Sequence, residues 1–237
     1  MEFIQGDALL AIRGLELASP RKFQLVIADP PYGNIVGEKW DKIKDQSSHA
    51  NWMTSVVQEL ETICHPGAAL YWWGGIGKPR CRPFFKFLLQ VEDETNWNLA
   101  ALITWKKKRA YGTSHNYLFT REECAYLVLG DPKKPRVFNK PYLDKLRGYA
   151  GYNSDFPALD ARLRRTMVWD DVTEVLRGKK HECEKPAALS RIMIETSSNP
   201  GDHVLDLFAG CCNASHESER LGRPATAIDV EPMKERP

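Results

Sequence analysis

The sequence predicts a layered α/β protein, and three observations carry that reading. Short β-branched or apolar runs alternate with helical patterns along most of the 237 residues. Proline and glycine turns close the helical patterns where apolar runs begin, as at His65-Pro66-Gly67 and Asn199-Pro200-Gly201-Asp202. A glycine-bearing loop, Phe208–Asn213, joins an apolar run to a helical one.

Taken in order, Phe3-Ile4 reads as a strand, and Leu9, Leu10 and Ile12 as one face of a helix. Phe23–Ala28 is a continuous apolar run of the kind buried on both sides, ending at Asp29-Pro30-Pro31-Tyr32-Gly33. A helix is expected over Ala50–Cys64, a strand over Ala68–Trp73 and a helix over Pro83–Leu89. Strands Ala100–Trp105 and Cys124–Leu129 follow, with a polar, basic connection between them. From Gly130 to about Trp169 periodicity fades and Pro, Gly, Tyr and Arg dominate, which predicts a long functional loop region outside the core. Regular patterning returns with a helix over Pro186–Ser197, a strand over His203–Leu207, a helix ending near Gly222 and a strand over Ala225–Val230.

The length suits one well-buried domain. With 43% hydrophobic and 27% charged residues the composition is that of a globular protein, and no apolar stretch reaches the roughly 20 residues of a membrane span. The start, without a basic head and cleavage site, points to a cytoplasmic protein. Six cysteines show no disulfide framework; Cys64-His65 and His181 with Cys183 lack a second matched pair, so no metal site is expected. Net charge is only +2, but nine Lys or Arg face four acids between Asp131 and Arg165. Positive charge is therefore concentrated where a polyanion could be held. No GxGxxG follows a strand, which argues against a nicotinamide-dependent oxidoreductase.

Asp29-Pro30-Pro31-Tyr32 is the sharpest feature. Two prolines make a rigid turn, and that alone is one reading. The other is chemical. The exocyclic amine of adenine or cytosine is a poor nucleophile, because its lone pair is delocalised into the ring. A carboxylate and a backbone carbonyl that accept both amine hydrogens favour the tetrahedral nitrogen and stabilise charge developing on it. Asp29 supplies the carboxylate, Pro30 a rigidly aimed carbonyl, and Tyr32 a face for stacking on an extruded base.

With its neighbouring motifs this loop resembles the amino-methyltransferases of DNA with permuted motif order, the β class. The resemblance runs through Gly6-Asp7, Asp29-Pro30-Pro31-Tyr32, Trp40-Asp41, Pro66-Gly67, Trp105-Lys106-Lys107, Thr120-Arg121-Glu122-Glu123 and His181 to Pro186. It continues through Gly201-Asp202-His203-Val204-Leu205-Asp206-Leu207-Phe208-Ala209-Gly210 and Ala227-Ile228-Asp229-Val230. It implies a Rossmann-like methyltransferase fold with a mostly parallel, doubly wound sheet. A short target-recognition region, residues 130–167, would separate a catalytic half (1–129) from a cofactor-binding half (168–237). The implied reaction is methyl transfer from S-adenosyl-L-methionine to adenine N6 in DNA, since family members acting on cytosine N4 more often carry Ser in place of Asp29.

The resemblance also implies cofactor contacts. Asp206 would meet the amino group, Asp229 the ribose hydroxyls and Asp7 the adenine end. Phe208, Ala209, Gly210 and Asn213 would form the loop, with His181, Lys185 and Pro186 closing over the methionine part. Two departures stand out. Cys212 occupies a family glycine position, where a side chain could crowd the ligand. The chain also stops within Glu231–Pro237, where the family continues into a helix. Together they motivate a second reading, a catalytically silent DNA-binding partner. For DNA the expected surface is Lys106, Lys107, Lys108 and Arg109 with Lys133, Lys134 and Arg136, interleaved with Tyr142, Tyr149 and Tyr152. A recognition region this short fits a target of a few base pairs, or a homodimer that shares the work.

Overall fold

The computed structural model describes residues 1–18, 22–32, 45–75, 83–112, 114–115, 117–146, 162–175 and 184–233. Ten strands and five helices follow one another along these residues. They are β1 (Glu2–Gln5), α1 (Ala8–Ala18), β2 (Phe23–Ala28), α2 (Gln46–Ile63), β3 (Cys64–Gly74), α3 (Pro83–Glu94), β4 (Trp97–Tyr111) and β5 (Phe119–Leu129). The second half holds β6 (Tyr142–Leu146), β7 (Arg162–Arg164), β8 (Val168–Trp169), α4 (Ala187–Ser197), β9 (Val204–Leu207), α5 (Asn213–Arg220) and β10 (Ala225–Asp229).

Eight strands form one sheet in the order β1-β10-β9-β2-β3-β5-β4-β8. Every neighbouring pair is parallel except those that β5 makes with β3 and β4, so β5 alone runs against the others. All six residues of β2 are buried. Strand alternation divides them: Val26 and Ala28 join the core under α1, α2 and α3, while Leu25 and Ile27 join the core under α4. Helices therefore cover both faces, and a strand between two apolar layers has no polar side to show. Trp72 illustrates the packing: it is fully buried and stacks on Phe87 of α3, with centroids 4.8 Å apart. Its truncation to alanine costs about 3–5 kcal/mol.

Two sequence expectations change. The strand predicted over Ala100–Trp105 continues to Tyr111, because Lys106 and Tyr111 pair with Arg121 and Phe119 of β5. The basic run is thus part of a long hairpin strand and not a connection. The stretch after Gly130 is also more regular than its composition suggests. β6 and β7 form a separate two-stranded sheet. β8 then lies against Thr104 and Trp105 at the edge of the main sheet, where Trp169 is buried. Among the described residues no helix is long and apolar enough to cross a membrane, and no metal-binding cluster is found.

Candidate active site

β2 and β9 are hydrogen-bonded neighbours, with Ile27 opposite Asp206 and Ala28 opposite Leu207. The loops that leave them, Asp29–Tyr32 and Phe208–Cys212, therefore begin side by side at the carboxyl end of the sheet, where open α/β sheets bind ligands. Asp29 continues the pairing through its amide, 3.4 Å from the Leu207 carbonyl.

Asp29 is the hub of the first loop. Its Oδ1 accepts from the Tyr32 hydroxyl at 3.0 Å, and its Oδ2 meets the Lys185 ammonium at 2.5 Å. Lys185 lies immediately before Pro186, the N-cap residue of α4. Its ammonium also reaches Glu122 Oε2 of β5 at 3.3 Å and sits over the rings of Trp73 (5.0 Å) and Tyr32 (5.4 Å). Lys107 of β4 pairs with the other oxygen of Glu122. Two carboxylates and two ammoniums thus form a balanced cluster around one phenol. Burial favours a neutral Lys185, but Asp29 and Glu122 outweigh it and hold its pKa above the ordinary lysine value. Burial would likewise raise Glu122, yet Lys185 and Lys107 keep its carboxyl below the usual range. Tyr32 is pushed well above a normal phenol by burial and by the two carboxylates, so it stays protonated and donates.

The loop is braced from α2. Asp45 caps that helix, accepting from the Ser47 amide at 2.8 Å and the Ser48 amide at 3.0 Å, and so sets its first turn. On that turn His49 Nε2 meets the Pro31 carbonyl at 2.9 Å, with the ring stacked on Trp52. Pro30, Pro31, Tyr32, His49, Trp73 and Phe84 line a cleft beside Asp29.

The second loop is built from backbone. Phe208, Gly210 and Cys212 all have positive φ, at +62°, +52° and +56°. Asp229 holds the loop, its Oδ2 accepting from the Gly210 amide at 2.7 Å, while its Oδ1 accepts from Glu231. Asp206, 5% exposed, accepts from the Ser215 amide (2.9 Å) and hydroxyl (2.7 Å), fastening the first turn of α5. Burial lifts its pKa to about 7, with Asp229 and Asp29 adding to the effect. Asn213 donates to Glu184 Oε1 at 3.0 Å and to the Lys185 carbonyl at 3.1 Å, which joins the two loops. Cys212 does not crowd the mouth: it is 1% exposed and packs inward with Ala209 and Ala227.

The remaining predicted residues are placed by contacts of their own. Lys185 joins the Asp29 cluster. The Asp7 carboxylate caps α1 through the Leu9 and Leu10 amides. Lys107 turns inward onto Glu122 and the Trp105 ring, because strand alternation puts it on the face of Trp105. Lys106, Lys108 and Arg109 remain exposed, at the same end of the sheet as Asp29. Lys133, Lys134 and Arg136 lie at the other end, since the Arg136 amide binds the carbonyl of Gly67 at the start of β3. A strand of that length places them roughly 20 Å or more from Asp29, so the expected single basic surface is divided. His181, Cys183, Trp40-Asp41, Tyr149 and Tyr152 lie outside the described residues. Sequence reasoning gave no role to His49 or Trp73 and used Glu122 only as a motif letter.

Comparison with known proteins agrees with this architecture. A family model described as DNA methylase, of the N6/N4 type, matches residues 23–235. The type II methyltransferase M.HpaI of Haemophilus parainfluenzae is 25% identical, over 96% of this chain and 69% of its own length. The DNA adenine methyltransferase YhdJ of Escherichia coli is 26% identical, over 96% and 77%. Among solved structures, the PvuII cytosine-N4-specific DNA methyltransferase superposes with a TM-score of 0.70 at 16% identity, covering 97% of this chain and 82% of that one. The complex of M1.HpyAVI with SAM gives 0.64 at 19% identity, covering 98% of this chain and 94% of that one. These last two likenesses concern the fold, whereas the match over residues 23–235 places the chain in the N6/N4 DNA methylase family.

Proposed function

We propose that the protein transfers a methyl group from S-adenosyl-L-methionine to the exocyclic N6 of adenine in DNA, at the Asp29-Pro30-Pro31-Tyr32 loop. One observation carries the reading: the only side-chain carboxylate of that loop opens beside the Phe208–Cys212 turn, at adjoining strand ends. The neighbouring acids suit a cationic cofactor. Asp206 is a buried carboxyl whose pKa near 7 falls when an ammonium arrives, and Asp229 stands at the next strand end. When bound, the cofactor supplies an electrophilic methyl on a sulfonium.

Everything else belongs to the chain. The cleft lined by Pro30, Pro31 and Tyr32 receives a base extruded from the duplex, with Tyr32 stacking on it. Asp29 accepts a hydrogen from the base amine, which restores lone-pair character to the nitrogen and stabilises the charge it acquires. His49, through the Pro31 carbonyl, holds the main chain of the loop in place. Lys106, Lys108 and Arg109, exposed at the same end, hold the phosphates. Aspartate at position 29 and the adenine enzyme YhdJ among the relatives support adenine; the cytosine-N4 enzyme among the structural neighbours is the observation that favours N4 of cytosine instead. Incubation with labelled cofactor and DNA, followed by digestion to nucleosides, decides between them. Label in N6-methyladenine is expected, and label confined to N4-methylcytosine refutes the adenine assignment. Failure to bind the cofactor at millimolar concentration would favour a silent DNA-binding partner.

A further inference from the structure

Both oxygens of Asp29 are engaged: Oδ1 by the Tyr32 hydroxyl and Oδ2 by the Lys185 ammonium. A carboxylate held in this way keeps lone pairs for a base amine, but the ammonium offsets the negative charge with which it would stabilise a cation developing on that amine. The two donors share a second acceptor. Glu122 Oε2 lies 3.3 Å from Lys185 Nζ and 3.4 Å from the Tyr32 hydroxyl. Lys107 holds the other oxygen of Glu122 from β4, so this acceptor stays in place when the donors move. The Lys185 side chain is 14% exposed, and an ammonium stripped of its partner at such a site is strongly disfavoured. Passed from one carboxylate to another already within reach, it keeps its charge paired throughout.

On the methyl-transfer reading, we infer that Glu122 is a positioning residue that takes the Lys185 ammonium, and with it the Tyr32 hydroxyl, from Asp29 as the target amine arrives. It touches neither base nor cofactor. Its effect is to make Asp29 available without leaving a buried charge alone. Lys185 stays protonated, no covalent bond changes, and the cluster keeps two negative and two positive charges before and after.

The test compares Glu122→Gln and Glu122→Asp with wild type in methyl transfer to DNA, across pH. Without a charged second acceptor Lys185 holds Asp29, so E122Q is expected to lose roughly 10- to 100-fold in kcat, with little change in KM for the cofactor. Its kcat should climb with alkaline pH, as loss of the Lys185 proton frees Asp29, while wild type stays flat there. E122D should recover part of the rate. In a Lys185→Met background the E122Q change should have little further effect, because the ammonium to be relocated is gone. A purely structural role of Glu122 produces neither the pH rescue nor the dependence on Lys185. Full kcat in E122Q, or a loss that is flat with pH and equally large in K185M, overturns the inference while methyl transfer by wild type stands. A wild-type protein that transfers no methyl overturns the function itself, and the inference with it.

Discussion

The turns after β2 and β9 begin at neighbouring positions in the sheet, yet they are built by opposite means. The first works through side chains: Asp29 and Tyr32 draw on Lys185, Glu122 and Lys107 from three other segments. The second works through main chain: three positive φ values shape it, and the two aspartates that serve it grip backbone amides. Residue identity is therefore decisive at one strand end and conformation at the other. That contrast explains why cysteine is accommodated at position 212. What the turn requires there is a left-handed residue, and the thiol finds room inward beside Ala209 and Ala227.

The difference can be tested by substitutions of decreasing effect. Asp29→Ala should lower kcat by roughly 100- to 1,000-fold and leave DNA affinity nearly intact in a binding assay. Near-normal turnover would remove the side-chain half of the contrast. Asp206→Asn comes next. Its raised pKa means that the folded protein keeps a proton which the unfolded chain releases between about pH 4 and about pH 7. The group therefore subtracts stability as pH rises across that window, and the penalty is constant above it. The asparagine variant should flatten melting temperature against pH between those limits. Cofactor binding below about pH 7 should release a proton from wild type and none from the variant, as read by calorimetry in buffers of different ionisation enthalpy.

Smaller effects sharpen the picture of the basic residues. Replacing Lys106 and Lys108 with glutamine should reduce the salt-dependence slope of DNA binding by about two. The same change at Lys133 and Lys134 should leave the slope unaltered, because those lysines stand at the opposite end of the sheet. Equal effects of the two pairs would put DNA on both ends. Smallest of all, Cys212→Gly relieves about 1 kcal/mol of left-handed strain and forfeits a comparable burial term. Urea unfolding should show a change within about 1 kcal/mol. A large loss would mean that the thiol itself matters.

The order of strands and helices was legible because each carries its own period. Phe23–Ala28 could only be a strand covered on both faces, and the structure buries all six residues. Lys107 was read with its basic neighbours because the strand was ended at Trp105; once the strand continues, Ile103, Trp105 and Lys107 share one face, and that face is inward. Glu122 was not legible in chemical terms. Its importance arises from Lys185, 63 residues later, and from Tyr32, 90 residues earlier, and no local pattern encodes that meeting. The place of the basic stretch after Asp131 in the fold was not legible, for a related reason. Clustering in sequence says nothing about which end of a sheet a segment reaches, and Arg136 is tied beside Gly67 by a backbone bond that leaves no trace in composition.

Asn213 belongs to the first turn of α5, yet its amide holds the main chain of Lys185 and the side chain of Glu184. One carboxamide is thus a mechanical joint between the turn after β9 and the counter-ion of the turn after β2. Two hydrogen bonds from a single side chain therefore fasten the start of α5 to the residue whose ammonium meets Asp29, and a side chain there that cannot donate would release both at once.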